Sequence, residues 1–246
     1  MLELLTDPHA WAALLTLSAL EIVLGIDNLV FISILTSRLP DKSAEIARKV
    51  GLSLAFVFRI VMLFGLTWLM GLTAPIIQGF GVSLSWRDII LIGGGLFLIV
   101  KATHEIHAEV DPHDGRAAKQ ADAGAVRSTF WIIIVQLVAI DLVFSLDSIL
   151  TAIGLVEQIE IMIAAVCIAM LVMYFTAGPV GAFIREHPTT KMLALAFLLM
   201  IGRALVADGF DFHIPRGYIY TAMAFSAAVE AFNILASRNR KRKKAT

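Results

Sequence analysis

Apolar residues arrive in long runs along this chain, and the runs set its architecture. Seven of them, at roughly 10–36, 50–72, 88–106, 129–155, 160–184, 191–208 and 218–236, are long enough to cross a bilayer, because a hydrocarbon core about 30 Å thick takes about 20 residues of helix. Breakers and charges gather between them, as in Leu39-Pro40-Asp41, Asp111-Pro112-His113-Asp114-Gly115 and His213-Ile214-Pro215-Arg216-Gly217. The short links around 156–159 and 185–190 predict tight helical hairpins. The pattern therefore predicts an all-α membrane protein with seven transmembrane helices in a single membrane domain, 1–246.

The interruptions within the runs carry the next layer of information. The first run holds EIVLGIDNLVFIS, from Glu21 to Ser33, and the fourth holds DLVFSLDSILTAI, from Asp141 to Ile153. In each, an acid is followed six residues later by an aspartate, Asp27 or Asp147, and then by a small polar residue, Asn28 or Ser148. Three spans separate the copies, so they run through the membrane in opposite directions, which is the signature of an inverted-topology repeat. A fainter echo links FLIVKA (97–102) in the third span with LMIGRA (199–204) in the sixth. The expected organisation is a first three-helix repeat over 10–107, a His- and acid-rich loop over 108–128, and a second, inverted three-helix repeat over 129–209. An extra seventh helix with a basic tail follows over 218–246.

Composition supports a bilayer as the solvent: 59% of the 246 residues are hydrophobic and 16% charged, with a mean hydropathy of +0.83. The net charge is zero, but its distribution is uneven. Sixteen Lys and Arg fall on the side of the C-terminal tail and only Arg87 and Arg216 on the other. By the positive-inside rule the N-terminus faces outward and the C-terminus is cytoplasmic. The first run is read as a retained span, because MLELLTDPHAW lacks a basic n-region and the run exceeds an h-region. A lone Cys167 excludes a disulfide framework and a thiolate cluster.

A carboxylate at the bilayer centre costs about 2.5–3.5 kcal/mol on insertion scales. Glu21, Asp27, Asp141 and Asp147 together cost on the order of 10 kcal/mol if ionised and unpaired, so protonation, partners or water must relieve them. On a straight helix Glu21 shares a stripe with Asn28, and Asp141 with Ser148, whereas Asp27 and Asp147 point elsewhere. Unwinding near Gly25 and Ser145 would swing both aspartates toward one cavity and free backbone carbonyls. The resulting carboxylate, amide, hydroxyl and carbonyl oxygens are hard ligands suited to Mg²⁺, Mn²⁺ or Ca²⁺. The plainer alternative is that these groups are interhelical hydrogen-bond glue.

Other polar residues in the spans have two readings each. Glu230 and Asn233 share a face of the seventh helix, and either extend the site or form an inner gate, or pair with a basic residue. Gln136 lies on roughly the stripe of Asp147, as a ligand or as packing. Arg59 and Arg203 are read as counter-charges for buried carboxylates, able to compete with a transported cation. In KATHEIHAEVDPHDG (101–115), His104, His107, Glu109, Asp111 and His113 either gather metal at the membrane surface or form a solvated acidic loop. The tail RNRKRKK is an anchor to anionic lipid and not a nucleic-acid arm. Gly93-Gly94-Gly95 permits close helix packing.

At GIDN (25–28) and FSLDS (144–148) the chain resembles the TerC family of integral membrane proteins. The likeness extends through HPTTKMLALAF (187–197) and HIPRGYIYTAMAFSAAVEAFN (213–233), and is greatest to a compact bacterial subgroup without cytoplasmic domains. The resemblance implies a seven-helix bacterial inner-membrane protein. Some members export Mn²⁺, others are linked by name to tellurite resistance, and some to metallation of exported proteins. By motif the family's acidic residues fall on Glu21, Asp27, Asp141 and Asp147, with Asn28 and Ser148 beside them; Arg203 rests on position alone.

The leading expectation is a secondary-type exporter of a divalent cation, Mn²⁺ before others, with the ion as substrate and no cofactor. A second class, an assembly or metallation partner that binds metal and transports nothing, stays open, as do a homo-oligomer and a membrane-protein partner. An enzyme is not expected: the Gly-x-Gly-Asp motif of intramembrane aspartyl proteases is replaced here by LGID and FSLD.

Overall fold

The computed structural model describes residues 7–37, 39–79, 82–111, 123–153, 156 and 158–245, with backbone alone at 26–27, 66–67, 77–79, 82–83, 123–127, 151, 216 and 237–245. Its elements are α1 (Pro8–Thr36), α2 (Asp41–Phe64), α3 (Leu66–Gly71), β1 (Pro75–Gly79), β2 (Val82–Ser85), α4 (Trp86–Val110), α5 (Ala123–Ile153), α6 (Ile159–Glu186), α7 (Pro188–Gly209) and α8 (Arg216–Ala245). The regular structure among the described residues is thus helical, apart from one antiparallel hairpin of β1 and β2 that the apolar pattern did not announce.

Among the described residues, six helices are long and apolar enough to cross a membrane: α1, α4, α6 and α7 over their full lengths, α5 over Ser128–Leu150 and α8 over Gly217–Ala236. The run at 50–72 differs from expectation. Its helix starts earlier, at Asp41, ends at Phe64, and is separated from α3 at Gly65, so no single apolar helix covers that stretch. Large apolar side chains such as Leu15, Val100, Val135, Phe175 and Phe225 stand exposed on the outer faces, as they do when hydrocarbon is the solvent.

Local chemistry explains where the helices begin. The Asp7 side chain accepts from the His9 N–H at 2.9 Å, and Pro8 opens α1; both choices fit a helix start. Ser85 and Asp88 close a reciprocal capping box at the head of α4, with Ser85 N donating to Asp88 at 2.8 Å and Asp88 N to Ser85 Oγ at 3.2 Å. The α4 helix continues through Val110, so the first half of the His-rich stretch is helical and not loop. No unwinding occurs near Gly25 or Ser145: α1 and α5 are continuous α-helices through both.

The closest helix pairs are α4 with α7 and α1 with α6, and α5 packs mainly on α2. Missing side chains permit these approaches, as is common where helices pack in lipid. A Cβ added to Gly95 would stand 2.6 Å from the Gly202 carbonyl oxygen, and one on Gly25 would collide with the Met173 sulfur. Gly25 is therefore used for contact with α6, not for breaking α1. The last helix, α8, is almost wholly exposed. It borders an apolar groove of about 510 Å³ whose walls include Val30, Phe183, Phe197, Ile201, Tyr220 and Met223.

Candidate functional site

The polar residues of α1, α2 and α5 meet inside the bundle around one arginine. Arg59 of α2 is 2% exposed. Its Nη1 donates to Glu21 Oε2 at 2.5 Å, its Nη2 to Asp141 Oδ1 at 3.1 Å, and its Nε to Ser145 Oγ at 3.0 Å. Ser145 Oγ donates in turn to Asp141 Oδ2 at 3.2 Å, and Asn28 Nδ2 donates to Asp141 Oδ1 at 3.1 Å. One guanidinium thus faces two buried carboxylates, and Asp141 has both oxygens engaged. Helical spacing puts this set together: 141, 145 and 148 fall on one stripe of α5, and 21 and 28 on one stripe of α1.

Asp147 lies off that stripe and looks to α4 instead. Arg87 Nη2 is 3.6 Å from Asp147 Oδ1, and Arg87 Nη1 is 3.5 Å from Asp88 Oδ1. Asp147, Asn28, Ser148 and Arg59 wall a small cavity of about 40 Å³, which Asp208 of α7 and Tyr220 of α8 also line. That volume accommodates an ion or water molecules. Arg59 therefore forms both the hub of the closed ion-pair cluster and part of the wall of the cavity.

The other residues named from sequence fall as follows. Asp27 is on α1, but its side chain is outside the described residues, as is all of His113. Gln136 is half-buried on α5 and does not line the cavity. Glu230 accepts from Thr189 and, at 3.1 Å, from Thr190 at the start of α7, while Asn233 donates to it at 3.4 Å. These bonds tie α8 to α7 beside the apolar groove, away from the cavity wall. Arg203 is exposed on α7 and takes part in none of the described ion pairs; the counter-charges to the intramembrane acids are the buried Arg59 and the half-buried Arg87. His104, His107 and Asp111 are exposed, and Glu109 pairs with Lys191. Among the described residues, no three His, Cys, Asp or Glu side chains converge on one point in the manner of a metal cage.

Residues 6–245 match the family model described as "Integral membrane protein TerC family". The chain belongs to the TerC family. Among its relatives, the "UPF0053 inner membrane protein YoaE" of Escherichia coli is 48% identical over 238 residues, which cover 97% of this chain and 45% of YoaE. YgdQ of the same species, also described as a UPF0053 inner membrane protein, is 46% identical over 237 residues, 96% of this chain and 97% of YgdQ. A UPF0053 protein of Haemophilus influenzae is 46% identical over 234 residues, 95% of this chain and 97% of that protein. The chain thus spans under half the length of YoaE and nearly all of the other two. No solved structure matches it. With its membrane-length helices, this TerC protein is a multi-pass protein of the inner membrane.

Three groups in this TerC site escaped the sequence reading: Arg87, Asp88 and Asp208. Asp88 carries a visible signal, since Ser85-Trp86-Arg87-Asp88 has the spacing of a capping box. Asp208 carries a subtler one. It is a buried acid in the last turn of α7, where the helix dipole disfavours negative charge. An acid in so poor a local position points to a tertiary reason for its presence.

Proposed function

We propose that this protein is a secondary-type exporter of a hard divalent cation, with Mn²⁺ the first candidate, and that α2 completes seven crossings arranged as an inverted 3+3 repeat plus α8. The observation that carries the reading is that Asn28 and Ser148, which occupy equivalent places in the two sequence copies, wall the same cavity beside Asp147. A site at the meeting point of two inverted copies is how repeat-built transporters hold their substrate. The packing supports the repeat: α1 lies on α6 as α5 lies on α2. Gly25 meets Met173 of α6, while its equivalent, Ser145, meets Arg59 of α2. The uneven distribution of Lys and Arg supports an outward N-terminus and a cytoplasmic C-terminus.

In this reading the ion enters from the cytoplasm, rests between α1 and α5, and leaves as the halves rock about the cavity. The guanidinium of Arg59 stays bonded to both Glu21 and Asp141 throughout, and protons returning to the carboxylates reset the cycle. The test is uptake into inverted vesicles or proteoliposomes, comparing Mn²⁺ with Mg²⁺, Ca²⁺ and Zn²⁺, in the wild type, Asp27→Asn and Asp147→Asn. Selective Mn²⁺ flux lost in both variants is the expected result. A folded wild type that moves none of the four ions overturns the exporter reading in favour of a metal-binding partner without transport.

A further inference from the structure

Among the described residues, the buried carboxylates of α1, α5 and α7 divide into two sets with different chemistry. Glu21 and Asp141 are committed to Arg59, and both oxygens of Asp141 already accept hydrogen bonds. Asp147 instead walls the cavity, together with Asn28, Ser148 and Asp208. We propose that this cavity is the cation-binding position and that Asp208 of α7 is one of its ligands. The divalent ion would be held by the Asp147 and Asp208 carboxylates, the Asn28 amide oxygen and the Ser148 hydroxyl, with water completing the shell. The proposal deepens the exporter reading and rests on it.

Four observations converge on the cavity. Asn28 is 6% exposed and its Oδ1 has no hydrogen-bond partner among the described residues. Its amide is oriented by the bond from Nδ2 to Asp141, so the oxygen is the group left over. A buried acceptor without a donor is costly, and a cation satisfies it. Ser148 donates its hydroxyl proton to the Ser145 carbonyl at 3.3 Å, which leaves its oxygen lone pairs available to a metal.

Asp208 is 8% exposed and is held from the α7–α8 link by the Ile214 backbone. Its place in the last turn of α7 lets the helix dipole work against its charge; His213 and Arg87 act in the other direction, and a bound cation adds to them. Close packing fixes this end of α7: a Cβ on Gly209 would stand 2.9 Å from the Asp88 carbonyl oxygen. All four donors are oxygens, two of them carboxylates. Small hard ions of the Mg²⁺ type take that set, keeping several waters, and soft ions do not. Arg87 also reaches Asp147, so an arriving ion competes with a tethered guanidinium for that carboxylate.

The experiment is Mn²⁺ titration of the purified full chain in nanodiscs, read by loss of the free-ion electron paramagnetic resonance signal, alongside flux in proteoliposomes. The wild type is expected to bind one ion per chain. Asp208→Asn and Asp147→Asn should each weaken binding at least about tenfold, and Glu230→Gln should leave it unchanged. Asp208→Glu, which keeps the charge and guards against misfolding of the asparagine variant, should shift the affinity by at least about threefold through its longer arm. Unchanged affinity in folded Asp208→Asn or in Asp208→Glu overturns the assignment of Asp208. Wild-type flux that survives both aspartate variants removes the ion from this cavity and leaves export standing. Absence of both binding and flux in folded wild type removes the exporter reading as well.

Discussion

Arg59 of α2 holds Asp141 of α5 at 3.1 Å while its other terminal nitrogen holds Glu21 of α1 at 2.5 Å. The three groups form one electrostatic unit, and none of them is stable in the bundle alone. Removing one partner of a buried ion pair leaves an uncompensated charge and costs about 3–5 kcal/mol. Arg59→Gln should therefore lower the unfolding midpoint in detergent sharply. Arg59→Gln combined with Glu21→Gln should cost less than the two single changes added, because the second change removes a charge that the first stranded. Strict additivity in that double-mutant cycle would show that the pair contributes nothing as a pair.

The crossing of α4 over α7 makes a second expectation. Gly95 faces the Gly202 carbonyl with no room for a side chain, whereas Gly93, two residues earlier, has open space at the corresponding point. Gly95→Leu should force the helices apart and destabilise the fold by about 1–3 kcal/mol or more, the usual range for overpacking. Gly93→Ala should stay within about 1 kcal/mol of the wild type, with helix propensity favouring it. Thermal unfolding of the two purified variants distinguishes the positions.

At the head of α2, outside the six membrane-length helices, Lys49 Nζ lies 2.7 Å from Glu45 Oε1. The hydrogen bond and charge of Lys49 hold the Glu45 carboxyl below its ordinary value of 4.5, and Glu45 raises Lys49 above its ordinary 10.5. The sign follows by linkage. The carboxylate's contribution is present above its unfolded value and is lost as pH falls through the folded one. The lysine's contribution is present below its unfolded value and is lost as pH rises through the folded one. Both groups are exposed, so the effect on stability is small and screened by salt. A carboxyl titration followed by NMR should show the Glu45 midpoint rising toward its ordinary value in Lys49→Gln and in high salt. A midpoint indifferent to both changes would mean that the pair does not form in solution.

The run boundaries came close to the helices because hydropathy and length are local properties: 160–184 lies within Ile159–Glu186, and 191–208 within Pro188–Gly209. Glu21, Asp141 and Asp147 stood out for the same reason, as charges in oil. What was not legible was which charge would meet which. Arg59 and Arg203 looked alike along the chain, yet one is buried between two carboxylates and the other is exposed. Only the rotation of each helix about its axis decides that, and packing against neighbours sets the rotation. Gly25 misled in the same way. A glycine beside an intramembrane acid suggests a broken helix, but here it makes room for Met173. Asp208 was passed over because a single acid near a helix end announces no partner; it shares its cavity with residues of α1, α2, α5 and α8, and Arg87 of α4 with His213 and Ile214 of the α7–α8 link also act on it.

Ile201 and Tyr220 each border two spaces, the small cavity that Asp147 and Asp208 line on one side and the large apolar groove beside α8 on the other. At these two residues the insulation between a charged chamber and the surrounding acyl chains is one side chain thick. A protein that separates buried charges from lipid by so thin a wall does not choose its environment freely. The thickness and order of the membrane around α8 become part of the dielectric that its buried carboxylates experience.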